Sequence, residues 1–208
     1  MRGFLQETDS RCTGMIRKKY PWNSLRSQIG SRAERRRSEA MLLTRSELQG
    51  VGWERRSTHS WRIRPGRIAN EEAERAFELG RFASLRVFRK ARKRELFLQV
   101  IPYASTEDAR SMVPKIWRTR TPYPRNITVV DEQNLEHEEV PDLTSPWLLQ
   151  QRIEGKAECV RVVIGHVDHV AVSVGCVALR DDWPWEEVKE LASVQGRKVR
   201  QILRAGSA

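Results

Sequence analysis

The chain has 208 residues, a length that fits one compact domain with a tail. Its three cysteines are too few for a disulfide scaffold, and no run of about 20 apolar residues is present, so we expect no membrane span. The formal net charge is +11, but six of these charges come from residues 1–40, where ten basic residues stand against four acidic ones. The remaining chain is only mildly basic, which weakens the case for a nucleic-acid-binding body.

Residues 1–40 show neither helical nor strand periodicity and mix Ser, Gly, Pro and Arg. We predict a basic, largely disordered arm over this range, with a short helix from Ser31 to Ala40 as an alternative for its end. No apolar segment follows its first basic residues, so we expect no secretory signal, and the sparse cysteines favour a reduced, cytoplasmic location. The pattern changes abruptly at Met41. This allows a second interpretation, in which translation begins at Met41 and the arm is absent from the native protein.

A single α+β domain is predicted over residues 41–208. Thr44 and Glu47 have the spacing of a capping box, which predicts a short helix at that point. A short polar strand is predicted over 61–64. Asn70 can then cap a helix that ends near Gly80.

The pattern strand, strand, helix occurs twice. In the first copy, strands at 82–89 and 96–101 precede a helix that begins at Ser105 and that Pro114 is expected to kink or end. In the second copy, a strand at 157–164 and another from Val170 precede a helix capped by Asp182. Its apolar stripe consists of Val188, Leu191, Ala192, Val199, Ile202 and Leu203.

Two more strands are predicted between the copies, at 126–130 and 147–153. The strand count favours an antiparallel sheet covered on one face by helices, built from two approximate strand-strand-helix repeats.

The second hairpin contains groupings that bear on metal and redox chemistry. His166, Asp168 and His169 lie together and can in principle hold a divalent metal, but such a site needs a further ligand and oriented support, so we favour a polar loop. Cys159 and Cys176 are predicted on opposite sheet faces, which disfavours a disulfide. That prediction assumes a register in which two apolar rows face each other: Val160, Val162 and Ile164, and Val170, Val172 and Val174.

Seven tryptophans allow a ligand-platform interpretation, although packing in the core is their commoner use. Trp183 and Trp185 flank the start of the last helix, at a corner between helix and sheet. They are therefore the best candidates for a ligand-binding groove, with Trp147 as a third.

A basic turn joins the strands of the first hairpin. Together with the arm it can hold phosphates without sequence specificity, although a solvated turn is the alternative. The candidate nucleic-acid contacts are Arg35, Arg36, Arg37, Lys90, Arg92, Lys93 and Arg94.

The sequence contains no Gly-rich phosphate loop, nucleophile elbow or zinc-protease pattern. Many carboxylates occur in 131–139, which we interpret as solvated surface. We therefore predict no catalytic residue, no metal and no cofactor.

Several segments carry a resemblance to known proteins. They are LLTRSEL at 42–48 with the Gly-Trp pair at 52–53, YASTEDA at 103–109, TVVDE at 128–132, and WPWEEV at 183–188 with LASVQ at 191–195. In these segments the chain resembles a group of uncharacterised actinobacterial proteins and, more distantly, is similar to the sensor-type domains of that phylum, which include lipoproteins and the external parts of receptor kinases. The resemblance covers about 42–203 and implies a small α+β sheet with a ligand-sized groove.

These motifs mark caps, a strand and a helix, so no functional residue is carried over from the resemblance. The chain differs from the secreted members in lacking a signal and paired cysteines, which argues against extracellular sensing. The first hypothesis is a non-enzymatic binding or regulatory module with a small ligand or protein partner near Trp183 and Trp185. The alternative is a nucleic-acid-associated protein that uses the arm and the 90–94 turn.

Overall fold

The computed structural model describes residues 24–48, 52–63, 76, 81–90, 94–115, 127–153, 158–179 and 183–206. Within them the helices are α1 (Ser24–Ala40), α2 (Thr106–Met112) and α3 (Trp185–Ala205). The strands are β1 (Glu54–Arg62), β2 (Phe82–Lys90), β3 (Arg94–Pro102), β4 (Ile127–Asn134), β5 (Thr144–Ile153), β6 (Glu158–Val167) and β7 (Val170–Leu179). Short 3₁₀ turns occur at Arg45–Glu47, Val113–Lys115 and His137–Glu139.

The seven described strands form one sheet in the order β1-β2-β3-β7-β6-β5-β4, with antiparallel neighbours throughout. The predicted α+β class is therefore confirmed. Both predicted hairpins, β2–β3 and β6–β7, are present, and they meet where β3 pairs with β7 at the centre of the sheet.

Helices cover both faces of this sheet, so the prediction of one covered face was wrong. On the first face, which we call the α3 face, Val188 and Ala192 of α3 pack in one core with Val174. On the opposite face, the α2 face, Met112 packs with Ile164. The central strands carry apolar residues on both sides, and a sheet buried on both sides requires a layer against each.

The two hairpin-helix units repeat in order but not in arrangement. A twofold axis that relates adjacent antiparallel strands stands perpendicular to the sheet and keeps both helices on one face. The helix after β3 is α2 and the helix after β7 is α3, and they lie on opposite faces. No such rotation therefore superposes the two units.

The register of the β6–β7 hairpin differs from the predicted one. Val167 pairs with Val170, which leaves Asp168 and His169 as a two-residue turn, with Asp168 at φ 50°. The two apolar rows consequently lie on opposite faces rather than facing each other. Cys176 pairs with Arg161 and Cys159 with Ala178, so both cysteines lie on the α3 face at diagonal positions. The prediction that they occupy opposite faces was wrong.

Local signals placed several helix ends. The Ser105 Oγ accepts a hydrogen bond from the Asp108 amide at 3.0 Å, and α2 ends at Met112, directly before the 3₁₀ turn that contains Pro114. The capping box of Thr44 and Glu47 forms, but it starts only a 3₁₀ turn. The predicted cap Asp182 and the predicted helix at 70–80, apart from residue 76, lie outside the described residues.

Part of the predicted disordered arm is helical, because α1 spans Ser24–Ala40. The chain divides into two compact units, Met1–Arg32 and Ala33–Ala208. Within the larger unit, the Ser38 hydroxyl donates to the Phe82 carbonyl at 2.7 Å, and Arg86 Nη2 donates to the Glu39 carbonyl at 3.1 Å. The fold of this unit therefore includes residues that precede Met41.

The segment after α1 is held by two buried polar side chains. Gln195 of α3 donates to the Met41 carbonyl at 2.6 Å and accepts from the Leu43 amide at 3.0 Å. Arg86 donates to the carbonyls of Leu42 and Leu43 at 2.9 and 2.8 Å. These bonds replace the backbone partners that an irregular buried segment lacks.

Among the helices described, none combines the length and the apolar character that crossing a membrane requires.

Candidate functional site: an indole–cation cluster

Three tryptophans and three basic residues meet at one corner of the α3 face, and we call them the indole–cation cluster. Trp53 directly precedes β1, Trp183 lies in the segment that enters α3, and Trp185 is the first residue of that helix. Lys90 and Arg94 end β2 and begin β3, where they pair directly across the hairpin. Arg161 lies on β6. The sheet thus brings together residues that are far apart in sequence.

The indoles of Trp53 and Trp183 form the buried part of the cluster. Their ring centroids are 5.5 Å apart with an interplanar angle of 26°, a stacked pair. Trp183 is only 2% exposed and Trp53 only 3%, so neither ring offers a face to a ligand. Trp185 is half-buried and packs at the margin of the same core. Of the three, its indole is the most accessible.

Each indole has a positive charge over its face. Lys90 Nζ lies 5.6 Å from the centroid of Trp53, and Arg94 Cζ lies 5.5 Å from that of Trp183. Arg161 Cζ lies 5.1 Å from the centroid of Trp185, and its Nη1 donates a hydrogen bond to the Trp183 carbonyl. Cation–π attraction of this kind favours the charged side chains at these positions.

The Cys176 thiol is buried beneath this corner, and its pKa depends on the charges of the cluster. Burial raises the pKa of the thiol well above its usual value, and the charge of Glu187 raises it further, while Arg161 and Arg94 oppose that rise. Both guanidinium groups therefore act on the same buried point. The thiol stays protonated and enclosed, which makes it a poor nucleophile.

The structure brings together two of the three predicted ligand-site tryptophans. Trp183 and Trp185 lie in the cluster, but Trp147 is buried in the core of the α2 face with Ile164 and Ala171. The sheet separates it from the other two, so the three do not line one groove.

The candidate nucleic-acid residues are dispersed. Arg35 pairs with Glu39 at 2.8 Å, and Arg37 Nη2 donates to the Leu203 carbonyl at 3.4 Å, while Arg36 is exposed. These three arginines precede Ser38, which contacts Phe82 at the start of β2. Lys90 and Arg94 lie at the other end of that hairpin, over indole rings. Arg92 and Lys93 lie outside the described residues. The described part of the chain gives no support for the nucleic-acid alternative.

The three residues considered as metal ligands, His166, Asp168 and His169, lie on different parts of the second hairpin. His166 is a buried strand residue, whereas Asp168 and His169 form the turn. The described residues contain no group of three His, Cys, Asp or Glu side chains suited to a metal ion.

Trp53 and Arg161 were missed by the sequence-based prediction. The stacking of Trp53 on Trp183 joins residues 130 positions apart, and no local pattern signals it. Arg161 did carry a signal, because it is the single charge within the apolar run 160–164. A charge in a central strand needs a local partner, and here the partners are an indole and a carbonyl.

Comparisons with known proteins bear on the fold. No family model and no curated protein matches the chain. The extracellular domain of PknH from Mycobacterium tuberculosis is similar in structure, with a TM-score of 0.55 and 11% identity over 80% of this chain and 96% of that one. An uncharacterized Mycobacterium smegmatis protein, the Rv0999 ortholog, has a TM-score of 0.42 with the same identity and coverage, which is too weak to carry an argument. The distant similarity of this chain to actinobacterial sensor-type domains is therefore confirmed at the level of the fold.

Proposed function

We propose that this chain is a sensor-type binding domain whose ligand is a small anion held at the indole–cation cluster. The observation that carries the proposal is the convergence of Lys90, Arg94 and Arg161 on three indole rings at one corner of the sheet. The fold shared with the extracellular domain of PknH supports a binding role. The three positive charges at this corner support a ligand with negative charge.

A guanidinium that stacks on an indole retains its in-plane N–H groups as donors. Arg94 lies over Trp183, and a planar guanidinium is the side-chain group best matched to the oxygens of a carboxylate or phosphate. Arg161 has one donor fixed on the Trp183 carbonyl, which orients the rest of its planar group. Such preorganised donors lose little side-chain entropy when an anion binds.

The buried stack serves as the support of the site. Trp53 and Trp183 are enclosed and cannot contact a ligand, but they hold the cations in place. The half-buried ring of Trp185 can pack against an apolar part of the ligand. The best candidates are accordingly small carboxylates or phosphates that carry an apolar group.

Binding of benzoate, inorganic phosphate and the uncharged analogue benzamide to the full chain would test the proposal. We expect the two anions, but not benzamide, to quench tryptophan fluorescence and raise the melting temperature. Arg94→Gln should weaken anion binding by about ten- to hundredfold, because a hydrogen bond to a charged group contributes about 1.5–3 kcal/mol.

Arg152→Gln is the matched control, since Arg152 is exposed on the same sheet face one strand away from β6. It should leave anion affinity within about twofold. Equal losses for Arg94→Gln and Arg152→Gln would point to nonspecific attraction by the net charge. No response to either anion would refute the anion-binding proposal.

A further inference from the structure

His166 is a buried titratable group on the α2 face, away from the indole–cation cluster. It lies on β6 between Ala171 of β7 and Thr144 of β5, and it is 2% exposed. Helix α2 covers the same face through Ala109 and Met112. The imidazole thus lies in the core that joins the sheet to this helix.

One hydrogen bond fixes the neutral form of the ring. His166 Nδ1 lies 3.0 Å from the backbone carbonyl of Asp168, and a carbonyl oxygen only accepts, so Nδ1 carries the proton and donates. Nε2 is then the unprotonated nitrogen. It is buried and has no hydrogen-bond partner among the described residues.

Protonation would place a net charge in the core and a new N–H on Nε2, for which the described residues offer no acceptor. The carboxylates of Asp168, on the turn, and Glu107, on α2, favour the charged ring, whereas Arg110 of α2 opposes it. The strand neighbours Ala171 and Thr144 carry no charge. Burial, with Arg110, outweighs the hydrogen bond to the Asp168 carbonyl and the two carboxylates, and it lowers the pKa of His166 below its usual value.

Of the elements around His166, helix α2 is the one that can separate from the sheet most easily. It has seven residues, and its buried residues are Ala109 and Met112. Beside His166 the β6–β7 ladder is continuous, and the β5–β6 ladder is irregular between Thr144 and Trp147. Local opening takes place where the fewest apolar contacts are lost, so hydration of a charged ring costs least when α2 lifts.

We propose that His166 is a proton-binding site through which acidity releases α2 from the sheet. The ligand is the proton, and the response is a shift from docked to undocked α2.

The direction of the pH effect follows from the linkage between proton binding by His166 and docking of α2. The docked state binds the proton more weakly than the undocked state, in which the imidazole titrates near its ordinary value of about 6.5. Docking is therefore independent of pH above about 7 and weakens as the pH falls below about 6.5. The opening equilibrium of α2 rises by up to about tenfold by about pH 5.5, since each pH unit below that value adds at most one factor of ten.

Hydrogen exchange of the full chain at about pH 7.5 and about pH 5.5, corrected for the intrinsic pH dependence of exchange, tests this. Protection of Thr106–Met112 should fall, by up to about tenfold, in the native sequence, while that of Trp185–Ala205 stays unchanged. His166→Asn keeps a donor for the Asp168 carbonyl without titrating, so it should abolish the fall. His59→Asn, at an exposed position of β1, should retain it. No fall in the native sequence, or an equal fall in His166→Asn, overturns the proposal.

Titration of the native chain followed by NMR provides a test that needs no variant. The chain has four histidines, and the imidazole of His166 should titrate below the ordinary histidine value of about 6.5. A midpoint for His166 at or above about 6.5 also overturns the proposal.

Discussion

At the scale of single residues, Gly196 sets how closely α3 approaches the loop before β5. A Cβ atom at this position would lie 2.6 Å from the carbonyl oxygen of Asp142 and 2.7 Å from Leu143 Cδ2. A backbone oxygen cannot move aside in the way that the end of a flexible side chain can. Close packing, rather than backbone conformation, therefore requires glycine here.

Gly196→Ala separates two opposing effects. Helix propensity favours alanine by about 0.5–1 kcal/mol in a helix interior, whereas overpacking costs about 1–3 kcal/mol. Because one of the clashing atoms belongs to the backbone, we expect the clash to win. Chemical denaturation should show a net loss of about 1–2 kcal/mol in the free energy of unfolding.

Gln201→Ala, at an exposed position of the same helix, provides the comparison and should change stability by less than about 0.5 kcal/mol. An increase in stability for Gly196→Ala would mean that α3 and the loop are separated by more than the structure places between them.

Single residues also show where sequence reasoning succeeds. The stop at Pro114 and the cap at Ser105 were predicted correctly because each acts within one helical turn. The roles of Arg86 and Gln195 could not be predicted, since both bond to the backbone of 39–43, more than 40 residues away. Their partners exist only after the chain has folded.

At the scale of elements, Asp142 joins the loop before β5 to helix α3. Its carboxylate accepts hydrogen bonds from Ser193 at 2.8 Å, from Arg197 at 2.9 Å and from Arg200 at 3.0 Å. Burial raises the pKa of Asp142, but these hydrogen bonds and the two positive charges outweigh it, so the net effect lowers the pKa. The ionised carboxylate is therefore part of the helix contact.

Asp142→Asn keeps the size of the side chain and removes its charge. We expect a loss of about 1.5–3 kcal/mol in the free energy of unfolding at about pH 7, the usual contribution of hydrogen bonds to a charged group. Because the folded state lowers the pKa, this contribution is present above the unfolded value of about 3.9 and is lost as the pH falls below it.

The stability curves of the native sequence and Asp142→Asn should consequently converge between about pH 4 and about pH 2. Denaturant titrations at a series of pH values measure this. A constant difference across that range would show that the charge of Asp142 has no part in the contact.

The strands β6 and β7 show why the pairing register of two strands was harder to predict than their presence. The strands β6 and β7 were found from their apolar runs, but those runs are apolar on both faces. When both faces are buried, alternation cannot choose between registers that differ by one residue. The two-residue turn at Asp168 and His169 decides the register instead, and it moved Cys159 and Cys176 to one face.

At the scale of the whole molecule, the candidate site is a product of topology. Lys90 and Arg94 are close in sequence, and the basic turn was recognised, but as a phosphate contact. The sheet order places β7 and β6 beside β3, which brings Arg161 and the start of α3 to the same corner. From sequence alone the tryptophan pair at 183 and 185 was the only part of the cluster assigned to a ligand site.

Hydrogen bonds of the last residues of α1 show that the folded unit begins before Met41. Ser38 Oγ lies 2.7 Å from the Phe82 carbonyl oxygen and 2.8 Å from Ser84 Oγ, and Ser60 donates to the Glu39 carboxylate at 2.8 Å. A chain that started at Met41 would lack these partners, along with the Glu39 carbonyl that Arg86 contacts. Ser84 and Arg86 of β2 would then each lose a hydrogen-bond partner.

Two truncations test this consequence. Deletion of residues 1–32 removes one compact unit and leaves Ala33–Ala208 complete, so we expect its free energy of unfolding to match that of the full chain within about 0.5 kcal/mol. Deletion of residues 1–40 should cost roughly 2–5 kcal/mol, because several buried hydrogen bonds are lost together and the loss of a partner costs about 1–3 kcal/mol for each. Urea denaturation measures both, and Ser38→Ala in the full chain isolates one contact, with an expected loss of about 1–2 kcal/mol. Equal stability of the two truncated chains would favour a native start at Met41, since the contacts of Ser38 and Glu39 would then contribute nothing to the fold.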